Sequence, residues 1–301
     1  MARSADSLQL SLAEAPAGAR ERAAALSWRR VLHSSNLVAG AVVLLVVAGA
    51  AVLASQVAPH DPIDQEFTNQ LRPPSAAHLF GTDEFGRDIF SRVVHGARIA
   101  LNVGVVADLI ATVLGVVLGV AAGYFGGRLD SVVTRVVDIT LAFPYLLLAM
   151  IVVAILGPGL TNAMLAIAVV YTPQFIRVVR GVVLSVKEQE FVEGARAVGA
   201  GSLRILARCI LPNIVSPIIV MATLTIGFMI VETAGLSFLG LGASPPTPEW
   251  GSMLATGRSF MLTAPWIATF PGLAILVTVV AFNLVGDGLR DLLDPRLRGR
   301  I

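Results

Sequence analysis

Residues 99–124 read IALNVGVVADLIATVLGVVLGVAAGY, an apolar run interrupted by a single charge, Asp108. A helix that crosses a bilayer needs about 20 mostly apolar residues, and this run exceeds that length. Five further stretches qualify on either side of it. They are 34–58, which is uncharged; 136–156, which contains Pro144; 160–176, with Pro173 near its end; 212–231, with Pro217 inside; and 266–285. Proline and glycine are tolerated in spanning helices where neighbours satisfy the freed backbone groups. The expected fold is therefore all-α and polytopic, with six transmembrane helices. The first stretch follows a polar arm and is longer than a signal-peptide core, so it reads as a retained span.

Composition supports lipid as the solvent. The chain has 301 residues, of which 55% are hydrophobic and only 14% charged, with a mean hydropathy of +0.79. Soluble domains carry about a quarter charged residues, so this chain cannot cover a water-facing surface of its size. Lys187 is the sole lysine and follows no glycine-rich turn. A P-loop needs such a lysine to reach the nucleotide phosphates, so the chain is no P-loop ATPase and no enzyme is expected. Cys209 is the sole cysteine, which excludes an internal disulfide and a thiolate metal cage. The pI of about 9.1 could suggest nucleic acid, but the cations sort by membrane side instead.

Most of the arginines lie in the first 33 residues, the 125–135 turn, the 177–211 loop and the tail, together with Lys187. The opposite side holds Arg72, Arg87, Arg92, Arg98 and Arg258. Positive residues favour the cytoplasmic side, and six spans place both termini there. The outer stretch 59–97 is rich in Pro, Asp and Gly. The outer stretch 233–265 holds Trp250, with Trp266 just beyond it, and both are suited to a membrane interface.

The loop between spans four and five, 189–212, reads QEFVEGARAVGAGSLRILARCILP. Phe191, Ala195 and Val198 share one helical face. Gly199 and Gly201 stop that helix, Ser202 suits the N-cap of a second one, and Pro212 separates the loop from span five. Small residues at 194, 195, 197 and 199 let another protein's surface approach closely, a helix-in-groove arrangement. A surface-lying amphipathic helix with no partner fits the same pattern.

Glu193-Gly194-Ala195, then Gly199, then Ile210-Leu211-Pro212, resembles the EAA loop of binding-protein-dependent ABC importer permeases. Gly194 stands where that loop has its first alanine. Gly81-Thr82-Asp83 with Gly86-Arg87-Asp88, Ala122-Gly123-Tyr124-Phe125-Gly126-Gly127, Ala142-Phe143-Pro144, Leu236 to Gly242, Pro245 to Gly251 and Gly286 to Leu297 are similar to the C-type permease subunit of dipeptide, oligopeptide and nickel importers. The resemblance covers about residues 35–298. It implies the ABC importer permease fold in a bacterial inner membrane, with the loop between spans four and five as a cytoplasmic coupling helix. It also implies pairing with a homologous B-type permease, two cytoplasmic ATPase subunits that hold the ATP and magnesium, and an extracytoplasmic substrate-binding protein. The chain itself would bind no cofactor and no nucleic acid, and would contact membrane lipid. Glu193, Gly194, Ala195, Arg196, Gly199, Leu211 and Pro212 would form the ATPase-coupling element. The implied organisation is a cytoplasmic arm at 1–33, read as disordered, a first span at 34–58 and an extracytoplasmic segment at 59–97. A permease domain follows at 98–286 with the coupling loop at 187–211, then a cytoplasmic tail at 287–301.

Asp108 is the costliest residue, since a mid-span carboxylate costs about 2.5–3.5 kcal/mol on insertion scales. It reads either as a pore-facing contact or as a helix–helix contact. Glu232 could line the outer mouth or cap an interface. Asn283 could line the pore, although it and Asp287 suit packing and capping. Arg135 and Asp138 are spaced to pair with each other. His33, His60, His78 and His95 show no ligand spacing, so no metal is expected. The cargo could be a peptide, nickel or glutathione. A stand-alone secondary transporter would need broken helices around a midplane site and would leave the 189–212 loop without purpose. An intramembrane enzyme would need a partner for Asp108 at matched depth.

Overall fold

The computed structural model describes residues 34–293; the arm at 1–33, the tail at 294–301 and His33 lie outside them. The described residues are helical with connecting loops. In chain order the helices are α1 (Ser35–Val52), α2 (Ala54–Val57), α3 (Ile89–Phe125), α4 (Gly127–Leu141), α5 (Tyr145–Leu156), α6 (Leu160–Lys187), α7 (Glu190–Ala197), α8 (Ser202–Ile205), α9 (Leu211–Phe238), α10 (Trp250–Arg258) and α11 (Trp266–Leu293). A 3-10 turn at Phe67–Asn69 and a π turn at Leu206–Ile210 complete them. Five helices are long and apolar enough to cross a membrane, or six if α4 and α5 count as one span.

The third expected span needs correction. Residues 136–156 do not form one helix, because α4 and α5 meet at 98°. Pro144 has no N–H to donate and disfavours helix in the residue before it; it adopts an extended conformation as the N-cap of α5. Two helices extend past the expected spans. Residues 89–97, expected in the outer segment, already belong to α3, and α11 continues through 287 to Leu293.

Helix α3 is the spine. Its 37 residues run about 55 Å at 1.5 Å per residue, longer than the ~30 Å hydrocarbon layer, so it projects beyond the layer. It lies against α6 through a ladder of glycines four residues apart. Gly115 faces Phe175, Gly119 faces Val179 and Gly123 faces Val183; a Cβ at Gly119 would stand 2.8 Å from Val179 Cβ. Without a hydrophobic force between helices in lipid, small residues that let backbones close up supply the packing. Similarly, Gly40 of α1 sits against Ala281, and Gly288 of α11 against Leu37.

Three apolar clusters follow. The central one joins α3, α5, α6 and α9 around Phe175, Ile167 and Met229. A second, at the start of α3, gathers Ile89, Trp250 and Ile267. The third, at the end of α3, holds Val192, Ile205, Ile210 and Ile214 against Val179 and Val183.

Candidate functional site: an exposed short helix, an open groove and a polar knot

Only two residues separate the end of α6 from the start of α7, so the loop is folded tightly on its neighbours. The residue that anchors α7 is Val192, which lies outside the face shared by Phe191, Ala195 and Val198. Val192 is 0% exposed and joins the third cluster, with Ala195 half-buried beside it. Phe191 is 44% exposed and Val198 85%, while Leu203 at the start of α8 is 83% exposed. Glu193, Gly194, Arg196 and Gly199 are exposed too. No heavy atom lies within 4 Å of where a Cβ would stand at Gly194 or Gly199. Their smallness is therefore not required by this chain's own packing.

Gly199 does end α7, with φ +80°. Its N–H bonds the Arg196 carbonyl at 2.9 Å and the Ala200 N–H bonds the Ala195 carbonyl at 3.0 Å, the paired closure of a left-handed helix stop. Ser202, however, is not a cap: Gly201 takes the N-cap position with no side-chain bond. Nor does Pro212 separate the loop from α9. It is the second residue of α9 and the helix passes through it. The π turn before it carries the backbone through without interruption, and Asn213 Nδ2 donates to the Cys209 carbonyl at 2.6 Å. Leu211 is partly exposed, and Pro212 lines the groove described next.

A cavity of about 1240 Å³ opens along α9, walled by Tyr145 of α5, Tyr171 and Gln174 of α6, Ser216 to Glu232 of α9, and Arg290 of α11. Tyr145 and Tyr171 stack with centroids 5.0 Å apart. Helices α9 and α11 run antiparallel, with Gly286 against Leu224 and Gly227 against Val279. Glu232 and Arg290 consequently stand at opposite ends of the groove.

Of the three residues considered for pore lining, Glu232 alone lines this groove. Asp108 is buried one layer behind it, where Thr225 Oγ1 donates to Oδ1 at 2.6 Å and Thr112 Oγ1 approaches Oδ2 at 3.5 Å. It joins α3 to α9 as a satisfied helix–helix contact. Asn283 is half-buried on α11, away from the lining. Arg135 and Asp138 do not pair; Asp138 accepts from Arg177 at 2.6 Å, and Asp130 pairs with Arg180, so both bridges tie α4 to α6.

At the other end of α3, the Gly-Thr-Asp…Gly-Arg-Asp segment forms a polar knot. Asp83 accepts from the Phe85 and Arg87 N–H groups at 2.9 and 3.0 Å and from Arg87 Nε at 2.7 Å. Asp88 caps α3, accepting from Ser91 N at 2.8 Å and Ser91 Oγ at 2.7 Å. Arg92 Nη1 donates to the Pro62 and Pro246 carbonyls at 2.7 and 3.3 Å. The tryptophans expected at a membrane interface are fasteners here: Trp266 Nε1 donates to the Thr82 carbonyl and Trp250 Nε1 to the Val93 carbonyl. Glu249 caps α10 through the Gly251 and Ser252 N–H groups. Burial pushes the Glu84 and Glu249 carboxyls above their usual range. His60, His78 and Asp88, which spacing along the chain does not group, converge here.

The sequence is similar to known proteins along nearly all of its length. Residues 115–299 match the family described as "Binding-protein-dependent transport system inner membrane component". Residues 24–74 match "N-terminal TM domain of oligopeptide transport permease C". The chain is 48% identical over 273 residues to the "Glutathione transport system permease protein GsiD" of Escherichia coli O157:H7, covering 90% of each chain. It is 45% identical over 277 residues to the "Di/tripeptide transport system permease protein DppC" of Pseudomonas aeruginosa (strain UCBPP-PA14), covering 90% of this chain and 91% of that one. Among solved structures, an inward-facing conformation of the MetNI methionine ABC transporter matches with a TM-score of 0.57 and 20% identity, over 68% of this chain and 98% of that chain. That match concerns the fold alone.

Proposed function

The chain belongs to the binding-protein-dependent inner-membrane permeases of the oligopeptide C type, and from that membership we propose that it forms half of an importer's translocation pathway for short peptides. It is a multi-pass membrane subunit of an ABC importer, and the fold is that of the family. The relatives named above carry glutathione and di- or tripeptides; glutathione is itself a tripeptide, so the two cargoes share a chemistry. A carboxylate at one end of the groove and a guanidinium at the other suit a zwitterionic solute. The open side of the groove is where a homologous B-type permease would supply the second wall.

One observation carries the coupling role. Helix α7 is fixed to the bundle through Val192 while Phe191, Val198 and Leu203 face outward around glycines with open space beside them. An apolar, small-residue surface of this kind fits the groove of a partner. Glu193, Gly194, Ala195, Arg196 and Gly199 form that docking element, and two cytoplasmic ATPase subunits beneath it hold the ATP and magnesium. The arginine distribution supports a cytoplasmic α7 and cytoplasmic termini, with the polar knot outside, where a binding protein would deliver cargo. Closure of the ATPases then biases the pathway between two packings.

The test is co-purification with a second permease, the ATPases and the binding protein, followed by measurement of ATP hydrolysis with the binding protein loaded in turn with a dipeptide, a tripeptide, glutathione or Ni²⁺. A peptide ligand should stimulate hydrolysis. Stimulation by Ni²⁺ alone would overturn the cargo, and solute transport by the isolated chain without nucleotide would overturn the role.

A further inference from the structure

We propose that His60, His78 and Asp88 bind one divalent transition-metal ion at the end of α3 remote from α7. The three come from separate segments: the strap after α2, the polar knot, and the N-cap of α3. One ligand atom of each lies within 4.8 Å of the other two. His78 Nδ1 is 3.0 Å from Asp88 Oδ1, and His60 Nδ1 is 3.8 Å from Oδ2. The two imidazoles face each other with centroids 4.8 Å apart and a 30° tilt.

Charge balance points the same way. Asp88 is 2% exposed, and a buried carboxylate needs a compensating charge. Arg87 and Arg92 are both turned toward Asp83, at 2.7 and 3.7 Å. Among the described residues, the cation-forming partners within ion-pair distance of Asp88 are His60 and His78. Neutral imidazoles supply no charge, whereas a divalent ion held by them does.

The donors are preorganised. Ser91 holds Asp88 Oδ2 through N–H and O–H bonds, the outer-shell support that orients metal ligands. The strap carrying His60 is pinned by its own N–H on Ser91 Oγ at 3.2 Å and by Arg92 on the Pro62 carbonyl. Metal–nitrogen bonds of about 2.0–2.1 Å put tetrahedral ligands about 3.3 Å apart, so the His60 ring must swing inward. Its side chain is 42% exposed and free to do so, and that side leaves a position for water. Two imidazoles and one carboxylate select Zn²⁺, Co²⁺, Ni²⁺ or Cu²⁺ over Mg²⁺ and Ca²⁺. The bound ion staples the strap after α2 to the start of α3.

The experiment uses the tag-free assembled transporter, stripped with EDTA and titrated at pH 7.5 with Zn²⁺ by calorimetry and with Co²⁺ by visible absorption. The expected result is one equivalent per copy of this chain, with ligand-field bands for Co²⁺ and a raised unfolding midpoint with Zn²⁺. His60→Ala, whose metal-free midpoint should match the parent, should weaken Zn²⁺ binding at least tenfold and lose the midpoint shift. His95→Ala should change neither. If His60→Ala lowers the metal-free midpoint, His60→Gln takes its place in the same comparison. No stoichiometric uptake by the parent, as when protons alone balance Asp88, or uptake unchanged in the His60 variant, overturns the proposal.

Discussion

The two ends of α3 are held by opposite means. At its start, side chains from distant segments bond one another: Asp83 gathers Arg87 and Arg92, Asp88 caps the helix, and Trp250 and Trp266 fasten the later loop to the knot. At its end, α7 and α8 have no side-chain caps, and the loop rests on an apolar cluster around Val192, Ile205 and Ile210. A satisfied polar network specifies one geometry and is costly to disturb. Apolar packing holds position with little directional demand and leaves the outer face free for a partner. The contrast is between an end locked by directional side-chain bonds and an end resting on apolar contacts.

The largest effect should come from Asp83→Ala, which leaves the buried Arg92 without a carboxylate and Arg87 with only the 3.5 Å contact to Glu84. Breaking a buried pair from one side costs about 3–5 kcal/mol, read as a lowered unfolding midpoint in detergent. A loss below about 1 kcal/mol would break the comparison. Val192→Ala should cost about 1–3 kcal/mol of burial, but locally: faster proteolysis within 188–201, with the knot unchanged. Gly199→Val forces a β-branched residue into a left-handed backbone, at about 1–2 kcal/mol. The protein should still insert, with ATP hydrolysis uncoupled from uptake, and normal uptake would count against the docking role. Phe191→Ser with Leu203→Ser should move stability by no more than about 0.5 kcal/mol yet reduce retention of the ATPases on a column.

The smallest effect is a pH slope at the knot. Burial raises the Glu84 carboxyl above its ordinary 4.5, and its Oε2 has no hydrogen-bond partner. Above 4.5, until the raised Glu84 carboxyl itself ionises, the folded chain holds a proton that the unfolded chain has shed, so stability falls as pH rises through that window. Glu84→Gln should flatten that part of the stability profile, measured by thermal unfolding from pH 4.5 upward.

The spans were legible because lipid demands long apolar runs, and the short helix of the 189–212 loop because Gly199 ends it. The break at Pro144 was not, since Pro173, Pro217 and Pro271 stay inside helices; neighbours decide which prolines break a span. Val192 was missed because α7 contributes barely two turns, too few for a face to be read from period. The tryptophan fasteners and the His60, His78 and Asp88 cluster depend on segments brought together by topology, so spacing along the chain carries no trace of them. The four-residue glycine ladder of α3 was visible at its own positions, but its meaning required Phe175, Val179 and Val183 on the facing helix.

The π turn at Leu206–Ile210 has a further consequence. Backbone runs without a gap from Ser202 to Phe238, so loop and groove wall share one shaft. A π turn holds one residue more than regular helix would, and each residue in a helix advances the azimuth by about 100°. The π turn absorbs that residue within a single winding, so Leu203 keeps the face relative to α9 that a regular helix one residue shorter would give it, and deleting Ala207 should leave the angle between them nearly unchanged. Deleting a residue from the regular part of α9 would instead swing Leu203 about a quarter revolution from the groove-lining face.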